Sequence, residues 1–389
     1  MKKRVFVVTM VAATLSLLLF LSQSGAADKP PVKIGYIASI TGPVAVKVAD
    51  MTRGVQLAVA EINRKGGILG GRKVELLMYD AKSTPEEAVT AARKAISADK
   101  VSAIVGFDEA SLALAAKPII MKAKIPMMNM MAMHTDLVRK PGEIGFFSSA
   151  PPATQPTTAQ IKFDENILKI KSAVIIGPDV AFFWGNVNTI KKSWDRPGSP
   201  VKILDVVAFP MGSPDITAAI LKAAAPKPDL IWSWAWSITD NIQVYKQLSE
   251  VGYKGVIQQC MGMLIKPVLE GAGKAAEGAY GLVNWGPELN YPESEAFKKA
   301  IVKEFGATAG MSDVTEMGYT GAMALMLAMN KAGSATDLAA IAKACENLNW
   351  VSPRGYKWEV DKDGTGIYRE MTVVQAKNGN PVPLVKIPK

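Results

Sequence analysis

The stretch that decides the fold runs from Val32 to Asp80 and reads VKIGYIASITGPVAVKVADMTRGVQLAVAEINRKGGILGGRKVELLMYD. Its first residues alternate between apolar and polar side chains, which is typical of a short strand. Apolar residues then recur at helical spacing from Val55 to Ile62, and Gly66-Gly67 ends this helix because glycine adopts the left-handed conformation without steric cost. A second strand follows at 74–79. The order predicts a βαβ unit, and the loop after its first strand lies at the carboxyl edge of the sheet, where ligands bind.

Strand and helix patterns alternate along most of the chain, which predicts parallel sheets with helices on both faces. A chain of 389 residues exceeds what one hydrophobic core usually holds, so we expect two domains. Serine and proline cluster at 148–152, where we expect the chain to cross from one domain to the other. Further strands are predicted at 172–176, 201–207, 229–234 and 255–259.

The N-terminus has the pattern of a secretory signal peptide over residues 1–27. Lys2, Lys3 and Arg4 precede an apolar run from Val5 to Leu21, and small residues follow at 24–27. The alternative is an uncleaved anchor, but this run is at the short limit for a hydrocarbon core of about 30 Å. Since no cysteine near the cleavage region offers a lipid anchor, we expect a free protein in an enclosed periplasm.

Composition argues against several classes of function. The net charge of +10 falls to +7 without Lys2, Lys3 and Arg4, and the remaining basic residues are dispersed, with no nucleic-acid motif. Cys260 and Cys345 are expected to be isolated, buried thiols. With one histidine and two scattered cysteines we expect no metal site and no cofactor. The chain also lacks a Gly-x-Ser-x-Gly elbow and a phosphate loop, so we expect no enzyme.

An ordered series of short segments resembles the periplasmic solute-binding proteins of the branched-chain amino acid (type I) class of ABC transporters. The matching segments are ITGP at 40–43, AVAEINRKGGILGGRKVEL at 58–76, VSAIVG at 101–106 and KIPMMN at 124–129. The resemblance implies an α/β fold of two Rossmann-like lobes with parallel central sheets, joined by three crossings. It extends over nearly all of the chain past residue 31.

The implied lobes have definite boundaries in this sequence. Lobe 1 would comprise residues 28–150 and 285–352, and lobe 2 residues 151–284 and 353–389. The second crossing would lie near 283–287 and the third near 351–353. Two strands, at 356–359 and 368–375, would follow the third crossing.

The resemblance also implies where the ligand binds. Family members that bind amino acids hold the carboxylate and ammonium with hydroxyls and backbone amides after the third and fourth strands, and with an acidic residue of the second lobe. Here Ala110 stands at the usual serine, with Ser111 one residue on. Met133 replaces a threonine, Trp184 falls where a tyrosine closes on the ligand, and Met261 falls near the acidic residue.

Each departure removes a polar partner, and an unpaired buried charge would cost more than its burial gains. Thioethers and aromatic rings suit an apolar wall instead. We therefore expect a small aromatic or apolar organic solute rather than a standard amino acid. The candidate ligand-binding residues are Lys47, Phe107, Asp108, Glu109, Ser111, Met133, His134, Trp184, Trp234 and Met261.

Two kinds of ligand remain open. Lys47 and His134 with the tryptophans would suit an aromatic carboxylate, whereas Asp108 and Glu109 with the same tryptophans would suit an organic cation. The acidic pair has another interpretation, because negative charge is favourable at the start of the next helix. An aromatic acid or a neutral aromatic compound is therefore preferred slightly.

These patterns predict a monomeric receptor that captures its solute by hinge closure and presents the closed form to an inner-membrane ABC permease. The alternatives are a receptor for a branched-chain amino acid, an amide or an organic cation, and a sensor that passes a signal to a membrane receptor.

Overall fold

The computed structural model describes residues 29–389. The predicted signal peptide at 1–27 lies outside this range. Within the described part of the chain, no helix is both long enough and apolar enough to cross a membrane. The secondary structure divides between two separate β-sheets.

The first sheet has five strands, all paired in parallel, in the order β2-β1-β3-β4-β5. Its strands are β1 Val32–Ala38, β2 Val74–Asp80, β3 Ala103–Gly106, β4 Met127–Asn129 and β5 Phe146–Ser148. Because β2 and β3 lie on opposite sides of β1, the strand order reverses between β1 and β3. Such a point is where open α/β sheets bind ligands, at the carboxyl ends of the strands.

The second sheet has seven strands in the order β12-β11-β10-β9-β8-β6-β7. They are β6 Ser172–Pro178, β7 Lys202–Phe209, β8 Leu230–Ser233, β9 Val256–Gln259, β10 Tyr280–Val283, β11 Glu370–Lys377 and β12 Asn380–Pro388. Strands β6 to β10 pair in parallel, whereas β11 is antiparallel to both of its neighbours. This sheet also reverses its order, between β6 and β8.

Helices fill the connections. They are α1 Ala45–Arg64, α2 Pro85–Ser97, α3 Ala110–Lys122, α4 Thr154–Phe163, α5 Ala181–Trp194, α6 Thr217–Ala224, α7 Ile238–Glu250, α8 Lys266–Ala272, α9 Pro292–Phe305, α10 Asp313–Ala332 and α11 Leu338–Glu346. A π-helical turn, Asp164–Leu168, continues α4, and a 3-10 turn, Gly273–Ala276, continues α8. Helix α10 returns to pack on α1 and on strands β3 and β4, while α9 packs on α1 and α11 packs on α10. We call the first sheet with α1–α3 and α9–α11 lobe 1, and the second sheet with α4–α8 lobe 2.

The fold confirms the predicted α/β class with two lobes and three crossings, but it corrects the C-terminal part. The predicted strand at 356–359 is wrong, since only an isolated bridge joins Lys357 to Val351. Trp358 instead turns its indole N–H to the carbonyl oxygen of Cys345 in α11, at 3.0 Å. Strand β12 was missed because Pro381 and Pro383 interrupt its pattern, and prolines are tolerated there because β12 lies at the edge of its sheet.

A buried polar cluster ties the crossings together beside α10. Arg354 donates to Glu316 of α10 at 2.9 Å, and its guanidinium lies 4.1 Å from the centre of the Tyr368 ring. The Tyr368 hydroxyl donates to the carbonyl oxygen of Ser149 in the first crossing. The Ser149 hydroxyl in turn donates to the carbonyl oxygen of Met317, at 2.8 Å. The first and third crossings are thereby anchored to one helix of lobe 1.

Candidate functional site

The carboxyl ends of strands from both sheets meet at one small cavity between the lobes, with about 20 Å³ open to the centre of a water molecule. The loops after β3 and β4 form its lobe 1 side, and those after β6, β7 and β8 form its lobe 2 side. Its lining residues are Asp108, Glu109, Ala110, Ser111, Met131, Met133, Val180, Ala181, Phe182, Met211 and Trp236. Among these residues, all within the described chain, none is a lysine, arginine or histidine. The cavity is therefore acidic on one side and apolar elsewhere.

A tight turn after β3 presents the acidic side. Phe107 has a positive φ of 65°, which is uncommon for a non-glycine residue. Its N–H donates to the carbonyl oxygen of Ile37 at 2.7 Å, and its own carbonyl accepts from Met131 and Ala132. The Phe107 ring is buried in the apolar cluster of lobe 1 and does not line the cavity. The turn therefore holds the loops after β1, β3 and β4 together and directs the next two residues to the cavity.

Asp108 and Glu109 carry the acidic charge, and they are only 2% and 9% exposed. The Asp108 Oδ1 atom accepts from the N–H of Ser39 at 2.8 Å, which joins this loop to the one after β1. Among the described residues, no well-formed hydrogen bond reaches Asp108 Oδ2 or Glu109 Oε1, although the Ser83 hydroxyl lies near Glu109 and moderates the rise in pKa that burial causes in its carboxyl group. Glu109 stands at the N-cap of α3, yet its side chain makes no capping bond within the described chain. Side-chain capping therefore does not account for the acidic pair.

Burial shapes the ionisation of both carboxyl groups. It raises the pKa of Asp108 above its ordinary value. Burial, and next the negative charge of Asp108, raises the pKa of Glu109 to about 8. A buried carboxylate without a partner is costly, and two adjacent ones repel each other. Near neutral pH the pair therefore retains a proton unless a positive or hydrogen-bond-donating group approaches.

Aromatic rings form the opposite wall. Phe182, in the first turn of α5, lies with its ring centre 5.2 Å from that of Trp236 and 5.5 Å from that of Trp234. Trp234 is buried behind Phe182 and stacks against Trp232 at 5.3 Å. Phe182 also packs against the apolar cluster of lobe 1 that contains Phe107. This one side chain therefore touches both lobes and closes the cavity.

Lys47 lies at the seam but is engaged by protein groups. Its side chain is buried, with Nζ 3.1 Å from Asp313 Oδ1, and it donates to the carbonyl oxygen of Gly262 in lobe 2. The same Nζ lies 5.9 Å from the centre of the Trp236 ring. Trp236 lines the cavity, whereas Lys47 does not. Because α1 and Asp313 belong to lobe 1, the bond to Gly262 is a contact between lobes.

Four other predicted residues lie at different places. His134 lies against Gly185 of α5 and lines a neighbouring cleft. Met261 and Trp234 are buried in the main hydrophobic core, and Trp234 reaches the cavity only through Phe182. Trp184 is 41% exposed, and its indole N–H donates to Asp179 at 2.6 Å. The structure does not bring Trp184 to the cavity.

Thus the cavity brings together Asp108, Glu109, Ser111 and Met133 of the predicted set. It also contains residues that the sequence did not single out, chiefly Phe182 and Met211. Cys260 and Cys345 are buried, free thiols, as predicted. Within residues 29–389, no group of three or more His, Cys, Asp or Glu side chains could hold a metal ion. The arrangement suits reversible enclosure of a small organic molecule.

Comparison with known proteins agrees with this geometry. Residues 31–381 match the family model described as periplasmic binding protein. The Leu/Ile/Val-binding protein BraC3 of Rhizobium johnstonii is 26% identical over 81% of this chain and 83% of its own length. A leucine-binding protein from Thermotoga maritima superimposes with a TM-score of 0.80 at 25% identity, covering 92% of this chain and 99% of the other. An ABC-transporter solute-binding protein from R. palustris, in complex with benzoate, gives a TM-score of 0.83 at 19% identity, covering 92% and 96%.

Proposed function

The chain belongs to the periplasmic binding protein family, in the type I class of branched-chain amino acid ABC transporters, and we propose that it captures a small aromatic or apolar organic solute for import. Membership implies a periplasmic location, a small solute and a membrane permease as partners. Family members are solute-binding receptors rather than enzymes, and in this proposal the protein returns its solute unchanged. The solute in this proposal is not a standard amino acid.

The apolar wall of the cavity carries this proposal. Met131, Met133, Phe182 and Trp236 surround the space that faces the acidic pair. A standard amino acid needs partners for its α-carboxylate as well as for its ammonium. Of the cavity residues with polar side chains, Asp108 and Glu109 offer no positive charge to a carboxylate, and Ser111 offers one hydroxyl. A solute with one polar end and a ring or other apolar body fits these walls better.

Binding would proceed by closure of one lobe over the other. The loops after β3 and β4 would receive the solute first, since lobe 1 contributes Asp108, Glu109 and Met133. Lobe 2 would then bring Phe182 over it. The packing of Phe182 on lobe 1 and the bond from Lys47 to Gly262 are contacts between the lobes that support this proposal. The permease would recognise the two lobes in this arrangement.

Aromatic acids are ligands of other solved proteins with this fold. R. palustris proteins of the same fold bind benzoate, 3,4-dihydroxybenzoic acid and 4-hydroxybenzoate. At 19–20% identity these likenesses concern the fold and not the ligand. They demonstrate for those proteins that a cleft of this architecture accommodates a single aromatic ring.

Native mass spectrometry of the protein as purified, with a thermal-shift panel, tests the proposal. The panel contains aliphatic amino acids, aromatic acids, aromatic amines and neutral aromatic compounds. We expect an aromatic or apolar compound to raise the melting temperature, because a ligand that binds the folded state stabilises it by mass action. Leucine, isoleucine or valine as the strongest stabiliser, or as the co-purified molecule, would refute it.

A further inference from the structure

We propose that the polar end of the solute is a protonated amine, held by Asp108 and Glu109 while its apolar body lies against Phe182 and Trp236. This inference rests on the proposed function and specifies its ligand. Lobe 1 provides the acidic pair and lobe 2 provides the aromatic rings. The amine would therefore bind before closure, and the ring would be covered by it.

The unpaired carboxyl oxygens are the main observation. Asp108 and Glu109 line the cavity, and their side chains are at least nine-tenths buried. The Oδ2 atom of Asp108 and the Oε1 atom of Glu109 have no hydrogen-bond partner among residues 29–389. Buried polar atoms are normally satisfied, so such atoms at a cavity indicate a ligand. An ammonium group offers up to three donors and a charge, which satisfies both oxygens at once.

The fold already uses the other oxygen of Asp108. Its Oδ1 atom receives the N–H of Ser39 and fixes the loop, so the structural role of this side chain is fulfilled without Oδ2. Glu109 makes no capping bond to α3 within the described chain. The two free oxygens are thus left for a group that enters the cavity.

The surrounding charges disfavour an anionic solute. The nearest buried lysine at the seam, Lys47, is paired with Asp313 and bonded to Gly262. A carboxylate in the cavity would instead meet two carboxyl groups. Phe182 and Trp236, with ring centres 5.2 Å apart, present aromatic surface that attracts a cation through its negative face. Both the polar and the aromatic walls therefore favour positive charge.

Isothermal titration calorimetry with three monosubstituted benzenes isolates the effect of charge. Benzylamine, benzyl alcohol and benzoate share one ring and differ in the polar group. We expect the wild-type protein to bind benzylamine about ten-fold or more tightly than benzyl alcohol, the effect of one charge-assisted hydrogen bond, and to bind benzoate most weakly. Leucine serves as the reference ligand for the proposed function.

Glu109→Gln tests the acidic pair, because it keeps the size of the side chain and removes its charge. We expect it to remove most of the preference for benzylamine over benzyl alcohol. Asp108→Asn, which retains an oxygen to accept from Ser39, is the second variant, and circular dichroism establishes that each is folded. Glu250→Gln, at an exposed position at the end of α7, is the matched control and should leave the preference unchanged.

The outcomes separate the two proposals. Tighter binding of benzoate than of benzylamine, or an unchanged preference in folded Glu109→Gln and Asp108→Asn, would overturn the amine inference and leave an aromatic receptor. Tight binding of leucine without binding of any of the three benzene compounds would overturn the proposed function itself. Loss of the amine preference in both acidic variants, but not in Glu250→Gln, supports the inference.

Discussion

Removal of the Phe182 ring should weaken binding while leaving the fold intact. Phe182 contacts the rings of Trp234 and Trp236 at centre distances of 5.5 and 5.2 Å and also packs on lobe 1. Full burial of a phenylalanine side chain contributes roughly 1.5–3 kcal/mol. Since Phe182 is already half-buried, closure over a solute would bury about half of this, or about 0.8–1.5 kcal/mol, which corresponds to about a 4- to 12-fold rise in Kd for Phe182→Ala.

Trp184→Ala is the matched control for this substitution. Both residues belong to α5, but Trp184 is 41% exposed and bonded to Asp179 on the outer side. Calorimetric titration of the solute found by the screen gives the Kd of each variant, and thermal unfolding reports whether each is folded. We expect unchanged affinity for Trp184→Ala. Weakened binding in Trp184→Ala together with normal binding in Phe182→Ala would refute our assignment of the cavity.

Three further predictions concern buried charges. The pKa of Glu109 is raised to about 8 in the folded protein, so its carboxyl group loses its proton at a lower pH in the unfolded chain than in the folded one. The wild type should therefore lose stability as pH rises from about 4.5 to 8. Glu109→Gln should remove part of that loss. If the melting temperatures of the two proteins fell equally between pH 4.5 and 8, the reasoning would be wrong. Lys47→Met leaves Asp313 buried without its partner and should destabilise the fold by about 3–5 kcal/mol in denaturant unfolding; an unchanged midpoint would show that the pair contributes nothing. Arg354→Met isolates Glu316 in the same way and should cost about 3–5 kcal/mol, whereas Arg354→Met with Glu316→Gln should recover part of it; equal losses in both would exclude the charge as the cause.

Local patterns predicted the architecture well. The βαβ unit at 32–80 appears as β1, α1 and β2, because its apolar spacing and glycines determine those elements locally. The ends of the strands could therefore also be predicted from the sequence. This allowed Asp108, Glu109 and Met133 to be predicted as site residues. The C-terminal hairpin was harder, since the prolines of β12 are acceptable only at an edge that the sequence does not reveal.

The sequence did not allow us to predict which side chain of helix α5 faces the cavity. Helix α5 begins at Ala181, three residues before Trp184. Each helical residue turns by about 100°, so two positions separate Phe182 and Trp184 by about 200° and place them on opposite faces. The resemblance to relatives suggested Trp184, but the geometry brings Phe182 to the cavity.

The surroundings of Lys47 depend on contacts far apart in sequence. Its partners, Asp313 and Gly262, are 266 and 215 residues away. A lysine in a loop or early helix is usually exposed, and local pattern gives no sign that two distant segments will enclose it. The same limit applies to the aromatic wall, since Phe182 and Trp236 come together only when the second sheet has formed.

A crystal structure of the protein with its co-purified or screened solute tests the central claim most directly. We expect the ring or apolar body of the solute in the cavity between Met133, Phe182 and Trp236, with the lobes closed over it. A solute bound instead in the cleft beside Trp285 and Glu288, or a leucine held by its α-carboxylate in the interlobe cavity, would contradict it.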